Sequence, residues 1–299
     1  MAKIPVAQTL EHAYGFTFGH FLTVIGLTWV SFLIMTIGGY FFLPPYLAAV
    51  QTMIQTRNPA ALGSAFAVIP LLVLLTFLCF NMIYVAIARQ SLGRRTGAAW
   101  FYFSLDAAFW KLLGVYLLML LVFGAFAIGA VIVVVILSAA GGLLGQAGGA
   151  LVRGLAIVIM AMGFFYVVLR LMFFAVPVTV AEGHRILRRS WALSSGNFWR
   201  IFAVLLSIYV PFVIAELIIE TIIFTSVAMN MPPPGPGPEQ ALSYMNQLGT
   251  QVYALLPLLV PVVLVLYAIL LSLLISSSTF AYRALVPASN SEGVAAEFA

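Results

Sequence analysis

The run Val131-Ile-Val-Val-Val-Ile-Leu137 decides the fold class, because apolar residues follow one another there without a polar interruption. A transmembrane β-strand would alternate apolar and polar side chains, so the run predicts a membrane helix. About 20 largely apolar residues cross the hydrocarbon core of a bilayer. Six stretches meet this condition, and the predicted spans are Phe21–Leu43, Ser64–Ala88, Leu112–Ala140, Gly154–Val176, Ile201–Val227 and Leu255–Phe280.

The composition of the whole chain also predicts a polytopic membrane protein. Of its 299 residues, 64% are apolar and only 7% are charged, whereas soluble domains carry roughly 25% charged residues. The same numbers exclude intrinsic disorder, which needs low hydrophobicity and high charge. We therefore predict an all-α membrane bundle of six transmembrane helices plus interfacial amphipathic helices. Residues 1–299 form one integral membrane domain in this prediction, with a disordered tail over residues 286–299.

The distribution of lysine and arginine predicts the orientation of the bundle. The first, third and fifth loops hold only Arg57 and Arg153. The two tails and the other loops hold Lys3, Arg89, Arg94, Arg95, Lys111, Arg185, Arg188, Arg189, Arg200 and Arg283. Because basic residues favour cytoplasmic loops, both termini are predicted to be cytoplasmic. This topology accounts for the net charge of +5, so the charge gives no indication of nucleic-acid binding.

Three junctions between a polar-aromatic stretch and a span predict a threefold internal repeat. Each has a phenylalanine followed two places later by a basic or titratable residue, and the junctions are Gly15–Leu22, Asp106–Leu113 and Ser195–Phe202. The predicted units cover residues 5–93, 94–184 and 185–285, each an interfacial helix followed by a helical hairpin. Successive units would then share one orientation, with any symmetry axis along the membrane normal. The alternative is that short hydrophobic junctions look alike by chance.

Basic and aromatic residues are mixed in the stretches 94–111 and 185–200, which precede the second and third junctions. Amphipathic helices in the headgroup layer place tryptophan at the hydrocarbon boundary and arginine near lipid phosphate. We call the following residues the collar, and predict that they contact lipid headgroups, in particular anionic ones: Arg94, Arg95, Lys111, Arg188, Arg189, Arg200, Trp110, Trp191 and Trp199. The alternative is that these stretches only anchor the protein at the membrane surface.

One segment resembles a known family. The run Leu169-Arg-Leu-Met-Phe-Phe-Ala-Val-Pro-Val-Thr-Val-Ala-Glu182, followed by Ile186-Leu-Arg-Arg-Ser-Trp-Ala-Leu-Ser-Ser-Gly-Asn-Phe-Trp-Arg200, carries the resemblance. It is similar to the membrane domain attached to some glycerophosphodiester phosphodiesterases and to the related YciC-like six-helix family. The resemblance implies a bacterial inner-membrane protein. It implies no phosphodiesterase activity, because this sequence contains no soluble phosphodiesterase domain.

Arg170 is an ionisable residue inside the fourth predicted span, flanked by apolar residues on both sides. Such residues are costly in a membrane and are often functional. Its guanidinium could reach the inner interface, or it could satisfy backbone carbonyls freed by Pro177. Our first interpretation is this structural role. A role as a ligand for phosphate or as a counter-ion is the alternative.

Glu216 and Glu220 form the second intramembrane candidate, because their i, i+4 spacing places both on one face of the fifth predicted span. Two carboxylates this close could share a proton or bind a cation. The alternative is that Glu220 is exposed to water and that Glu216 faces a crevice or a partner such as Tyr209 or Arg153. A direct pair with Arg170 would need a helix shift, because the two residues differ in depth.

Several other features limit the functions that the sequence supports. The chain has no H-E-x-x-H, G-x-S-x-G or Walker motif, and we predict neither a cofactor nor a metal site. One cysteine, Cys79, permits no internal disulfide. The proline-rich stretch 231–239 could bind a protein partner outside the membrane. Our first interpretation is that it is a tolerated insertion in the third predicted unit. The sequence does not indicate an oligomeric state.

Three functions remain open at this point. The first is a membrane protein without catalytic activity whose collar binds lipids or proteins. The second is a secondary transporter or lipid flippase that uses the three intramembrane charges. The third is an intramembrane enzyme, in which only the glutamate pair could supply an acid or a base. We favour the first.

Overall fold

The computed structural model describes residues 3–56, 58, 60, 63–95, 100, 102, 105–142, 145–229 and 237–286. Within these ranges the chain forms nine α-helices and no strand, so the all-α prediction is confirmed. The helices are α1 Val6–Gly19, α2 Phe21–Thr56, α3 Gly63–Ser91, α4 Ala107–Gly142, α5 Gly145–Met172, α6 Ala175–Ala181, α7 Ile186–Ser194, α8 Phe198–Met229 and α9 Pro238–Leu285. Most of the proline-rich stretch 231–239 and of the tail 286–299 lies outside the described residues.

Six spans long and apolar enough to cross a membrane are found in the described residues, as predicted. They are Phe21–Met53, Val68–Ser91, Ala107–Gly141, Ala147–Ala181, Phe198–Val227 and Leu259–Leu285. The first span is longer than predicted, since α2 continues through Pro44 and Pro45 to Thr56. Membrane helices tolerate proline where neighbouring groups satisfy the freed carbonyls.

The fourth span differs from the prediction, because it is interrupted and ends later. The helix α5 ends at Met172, two residues form a turn, and α6 begins at Ala175. Pro177 explains the interruption. Its ring has no N–H to donate to the carbonyl of Phe173 and would clash with that carbonyl in a continuous helix. The span, with this break inside it, covers Ala147–Ala181 instead of the predicted Gly154–Val176.

The buried core lies at the end of the bundle that carries both described chain ends and most of the lysines and arginines, here called the basic end. The buried hydrophobic residues of α3 run from Cys79 to Ala88, and those of α4 run from Phe109 to Met119. Beyond Met119, α4 exposes large apolar side chains from Leu120 to Leu137. The helices thus pack tightly at the basic end and present apolar side chains outward over the rest of their length.

The helix α9 contacts α1, α2, α3, α6 and α8, and its final turns are buried in this core. They contain the buried run Ser276-Ser277-Ser278-Thr279. Each of these hydroxyls donates to a carbonyl three or four residues earlier in the same helix. The side chains are small and their polar atoms are satisfied locally, so neighbouring helices approach α9 closely.

Two of the three predicted interfacial helices are present. The helices α1 and α7 precede α2 and α8, and α7 buries one face through Ile186, Ser190 and Ser194. In the second unit, the described residues between 94 and 106 are not helical, so this part of the prediction is wrong for them. The phenylalanines at equivalent positions of the first two junctions also differ in environment, since Phe18 is 55% exposed and Phe109 is fully buried. The threefold repeat stays a prediction.

Candidate functional site

Arg170 lies in the last turn of α5 and is only 7% exposed. Its Nε donates to Ser194 Oγ at 3.1 Å, its Nη1 to the Tyr166 hydroxyl at 2.9 Å, and its Nη2 to the Trp191 carbonyl at 2.8 Å. The guanidinium carbon also lies 3.8 Å from the centre of the Trp191 ring. All three nitrogens therefore have partners within α5 and α7.

These contacts attach the end of α7 to α5. The Trp191 carbonyl belongs to the last turn of α7, where carbonyls lack partners within the helix. A cation at a helix C-terminus is also favourable for the helix dipole. The structural interpretation of Arg170 fits this geometry, although the carbonyl that it binds is that of Trp191 and not one freed by Pro177.

Glu216 and Glu220 lie on α8 and differ in exposure. Glu216 is half-buried, and its Oε1 accepts a hydrogen bond from the Tyr267 hydroxyl on α9 at 3.4 Å. Glu220 is exposed. The observed partner of Glu216 is thus Tyr267, where the sequence indicated Tyr209 or Arg153. Tyr267 also packs edge-on against Phe212, with ring centres 5.5 Å apart.

The structure does not bring Arg170 and the glutamates into one site. Arg170 binds residues that immediately precede α8, which begins at Phe198. At a rise of 1.5 Å per residue, Glu216 lies about 27 Å further along α8. The predicted intramembrane site therefore separates into two parts. Near the basic end, Arg170 binds Trp191 and Ser194 and so attaches α7 to α5, and we call these contacts the Arg170 clamp. Toward the other end, Glu216 contacts Tyr267.

Arg94 follows α3 directly and binds the end of α6. Gly93, two residues after the end of α3, has a φ of 71°, and Arg94 N donates to the Arg89 carbonyl in the last turn of the helix at 3.0 Å. The Arg94 guanidinium donates to the carbonyls of Val180 and Ala181. These two carbonyls close α6, so Arg94 acts as a cap for a helix 87 residues away in sequence.

Glu182 collects contacts from two other elements at the basic end. Its Oε1 accepts from Arg189 Nε on α7 at 3.0 Å and from the Tyr282 hydroxyl on α9 at 2.9 Å. Lys111 on α4 lies beside the next residue in the chain, Gly183, because its Nζ is 3.0 Å from the position that a Cβ would take there. Sequence reasoning missed Glu182 and Tyr282 as a pair. The sequence offered one signal for a contact of Glu182, namely that it is an acidic residue among many basic ones.

Arg200 also has an internal role. Its Nη1 donates to the Ile4 carbonyl at 2.7 Å, and the Ile4 amide donates to Asn197 Oδ1 at 3.1 Å. The chain entering α1 is thereby held against the start of α8. Of the predicted headgroup contacts, Arg94, Arg189 and Arg200 thus bind other parts of the protein.

The remaining collar residues are more accessible. Lys111 and Arg188 are exposed, and neither forms an ion pair in the described part of the chain. Arg95 lies over the Tyr102 ring, 4.8 Å from its centre. The three collar tryptophans are exposed to different degrees, with Trp110 at 57%, Trp191 at 39% and Trp199 at 75%.

No group of three or more His, Cys, Asp and Glu side chains that could hold a metal ion occurs among the described residues. Cys79 is buried in α3 and carries a free thiol. Most of the accessible charges at the basic end are cationic, and exposed tryptophans lie at the same end. Such an arrangement can bind phosphate or carboxylate groups at a membrane surface.

Comparisons of the chain with protein-family models, with curated proteins and with solved structures find no match.

Proposed function

We propose that the chain is a multi-pass protein of the bacterial inner membrane that binds anionic lipid headgroups through the exposed part of its collar and has no catalytic activity of its own. The observation that carries the proposal is the position of Lys111 and Arg188, which are exposed at the same end of the bundle as Trp110, Trp191 and Trp199. In this proposal the basic end faces the cytoplasm.

The charges at the basic end favour an anionic partner. The described acidic residues there are Glu11, Asp106 and Glu182. Asp106 is paired with Arg89, and Glu182 is paired with Arg189. Positive charge thus remains unbalanced over this surface. The cytoplasmic leaflet of a bacterial membrane attracts such a surface through its anionic lipids.

The tryptophans make the proposal directly testable, since brominated lipid chains quench tryptophan fluorescence on contact. The full-length protein is reconstituted in phosphatidylcholine vesicles that contain brominated phosphatidylglycerol. We expect the quenching of the wild type to show that phosphatidylglycerol makes up a larger share of the lipids around the tryptophans than of the vesicle as a whole. Each basic residue near an anionic surface contributes about 1 kcal/mol, so K111Q/R188Q should lower the preference for phosphatidylglycerol about thirtyfold.

The variant R153Q is the control and is matched to the single variant R188Q, because each removes one positive charge from an exposed arginine, and Arg153 lies near the start of α5, away from the basic end. It should keep the wild-type preference. Equal quenching of wild type and K111Q/R188Q would contradict the proposed lipid binding.

The part of the proposal that assigns the chain to the bacterial inner membrane draws on the family resemblance. The run from Leu169 to Glu182 and the run from Ile186 to Arg200 carry the similarity to the YciC-like family. These residues form the end of α5, all of α6 and α7 and the start of α8. They include the Arg170 clamp and Glu182, so we infer that the shared pattern preserves the attachment of α7.

A second candidate function is transport of a solute or a lipid, and the hydrogen bond between Glu216 and Tyr267 is the observation that favours it. A half-buried carboxylate in a membrane helix can carry a proton or bind a cation. Arg170 has no part in this candidate, because its donors are engaged by residues of α5 and α7. Flux into proteoliposomes should fall in E216Q and persist in E220Q, while full flux in E216Q would remove this site from consideration.

A further inference from the structure

A cleft of 310 Å³ lies at the basic end, between α1 and the last turns of α9. Its lining residues are Pro5, Gln8, Thr9, His12, Phe280, Arg283 and Ala284. None of the collar residues lines it. Its volume is at the lower end of the range of small-molecule sites, which begins near 300 Å³.

Arg283 is the charged group of this cleft. It is exposed, it lies 6.0 Å from the centre of the Phe280 ring, and it forms no ion pair within the described residues. Its Nη2 lies 3.5 Å from the position of a Cβ on Gly93. The guanidinium therefore lies between α9 and the loop after α3. A planar guanidinium fork matches the oxygens of a phosphate group.

His12 supplies a second nitrogen. Its Nδ1 lies 2.7 Å from the Gln8 carbonyl, and because a carbonyl only accepts, Nδ1 carries the hydrogen. The ring packs against Phe280, with centres 5.3 Å apart. Its Nε2 therefore remains for a ligand. Gln8 and Thr9 add neutral polar groups to the same wall.

We infer that this cleft binds a phosphate group through Arg283 and His12, with the apolar side chains of Phe280 and Pro5 packing against the rest of the ligand. The phosphate is either that of a lipid headgroup or that of a soluble compound. The site uses α1 and α9, and it differs from the collar because no collar residue lines it. It does not rest on the proposed function.

The test is isothermal titration calorimetry of the full-length protein in nonionic detergent and phosphate-free buffer. One arm uses inorganic phosphate and the other uses dihexanoyl phosphatidic acid. We expect saturable binding with one site per chain, and a loss of affinity of about tenfold or more in R283Q, because a charge-assisted hydrogen bond is removed. The variant R283K keeps the charge without the fork and should show an intermediate affinity.

The two arms distinguish the source of the phosphate. Equal affinities would assign a site for the phosphate group alone, and much tighter binding of phosphatidic acid would assign a lipid site. R153Q is the control of equal charge and should bind as the wild type does. Identical titrations of R283Q and the wild type, or no saturable binding in either arm, would overturn the inference. A normal thermal midpoint for R283Q shows that the variant is folded.

The outcomes also separate this site from the proposed function. Loss of phosphate binding in R283Q together with unchanged lipid quenching in K111Q/R188Q would refute only the collar proposal. Unchanged phosphate binding in R283Q together with a loss of the lipid preference in K111Q/R188Q would refute only the inference that the cleft binds phosphate.

Discussion

Replacement of Arg170 by methionine tests whether this residue holds α7 on the bundle. Methionine retains a flexible apolar chain but loses all three donors and the contact with the Trp191 ring. The Trp191 carbonyl then keeps only the hydrogen bond from Ser194 Oγ, at 3.0 Å. Hydrogen bonds to charged groups are worth roughly 1.5 to 3 kcal/mol each.

The net effect is smaller than the sum of these bonds, because the buried cation is desolvated and its removal recovers part of that cost. We expect R170M to lower the free energy of unfolding by about 3 kcal/mol. For a protein of this size the thermal midpoint should fall on the order of 5 to 10 °C. The thermal midpoint of R170K should lie between those of the wild type and R170M, since lysine keeps the charge but cannot stack or donate as a planar fork.

Cys79 provides the assay. It is the sole cysteine of the chain and is 2% exposed, so a thiol-reactive coumarin maleimide reports its exposure on heating in detergent. R153M is the matched control, because it makes the same change at an exposed position of the same helix. If R170M melts at the wild-type temperature, Arg170 does not support α7 and the clamp interpretation is wrong.

Three smaller effects can be measured with the same melting assay. G183A should cost about 1 kcal/mol, because φ is 70° at this position and a side chain is strained there; an unchanged midpoint would show that the turn relaxes. T17V should cost about 1 to 2 kcal/mol by leaving Ser272 Oγ, now 2.9 Å from Thr17 Oγ1, without its partner. T17V/S272A should recover part of that loss, and no recovery would indicate a packing effect. E182Q should cost at most about 1 kcal/mol, since the paired Arg189 is partly exposed, and a larger loss would mean that the pair is more isolated from solvent.

The six spans could be predicted because crossing a bilayer places one simple demand on the chain, a sufficient length of apolar residues. The break between α5 and α6 was not predicted, although its cause, Pro177, is local. Proline is common in membrane helices, and the sequence does not show which prolines interrupt a helix and which, like Pro44 and Pro45, are accommodated.

The contacts at the basic end could not be predicted in detail, because they join residues far apart in sequence. Tyr282 and Glu182 are 100 residues apart, and Ile4 and Arg200 are 196 apart. The sequence indicated a collar of equivalent basic residues. The fold divides them into residues that bind carbonyls or carboxylates of the protein and residues, such as Lys111 and Arg188, that remain accessible.

The most direct test of the account is the side of the membrane on which the basic end lies. Single cysteines replace Arg188 or Arg153 in a Cys79→Ala background, and a membrane-impermeant maleimide is added to intact spheroplasts and to permeabilised ones. We predict that R153C is labelled in intact spheroplasts and that R188C is labelled only after permeabilisation. Labelling of R188C in intact spheroplasts would place the collar outside the cell and would contradict the proposed binding to the cytoplasmic leaflet.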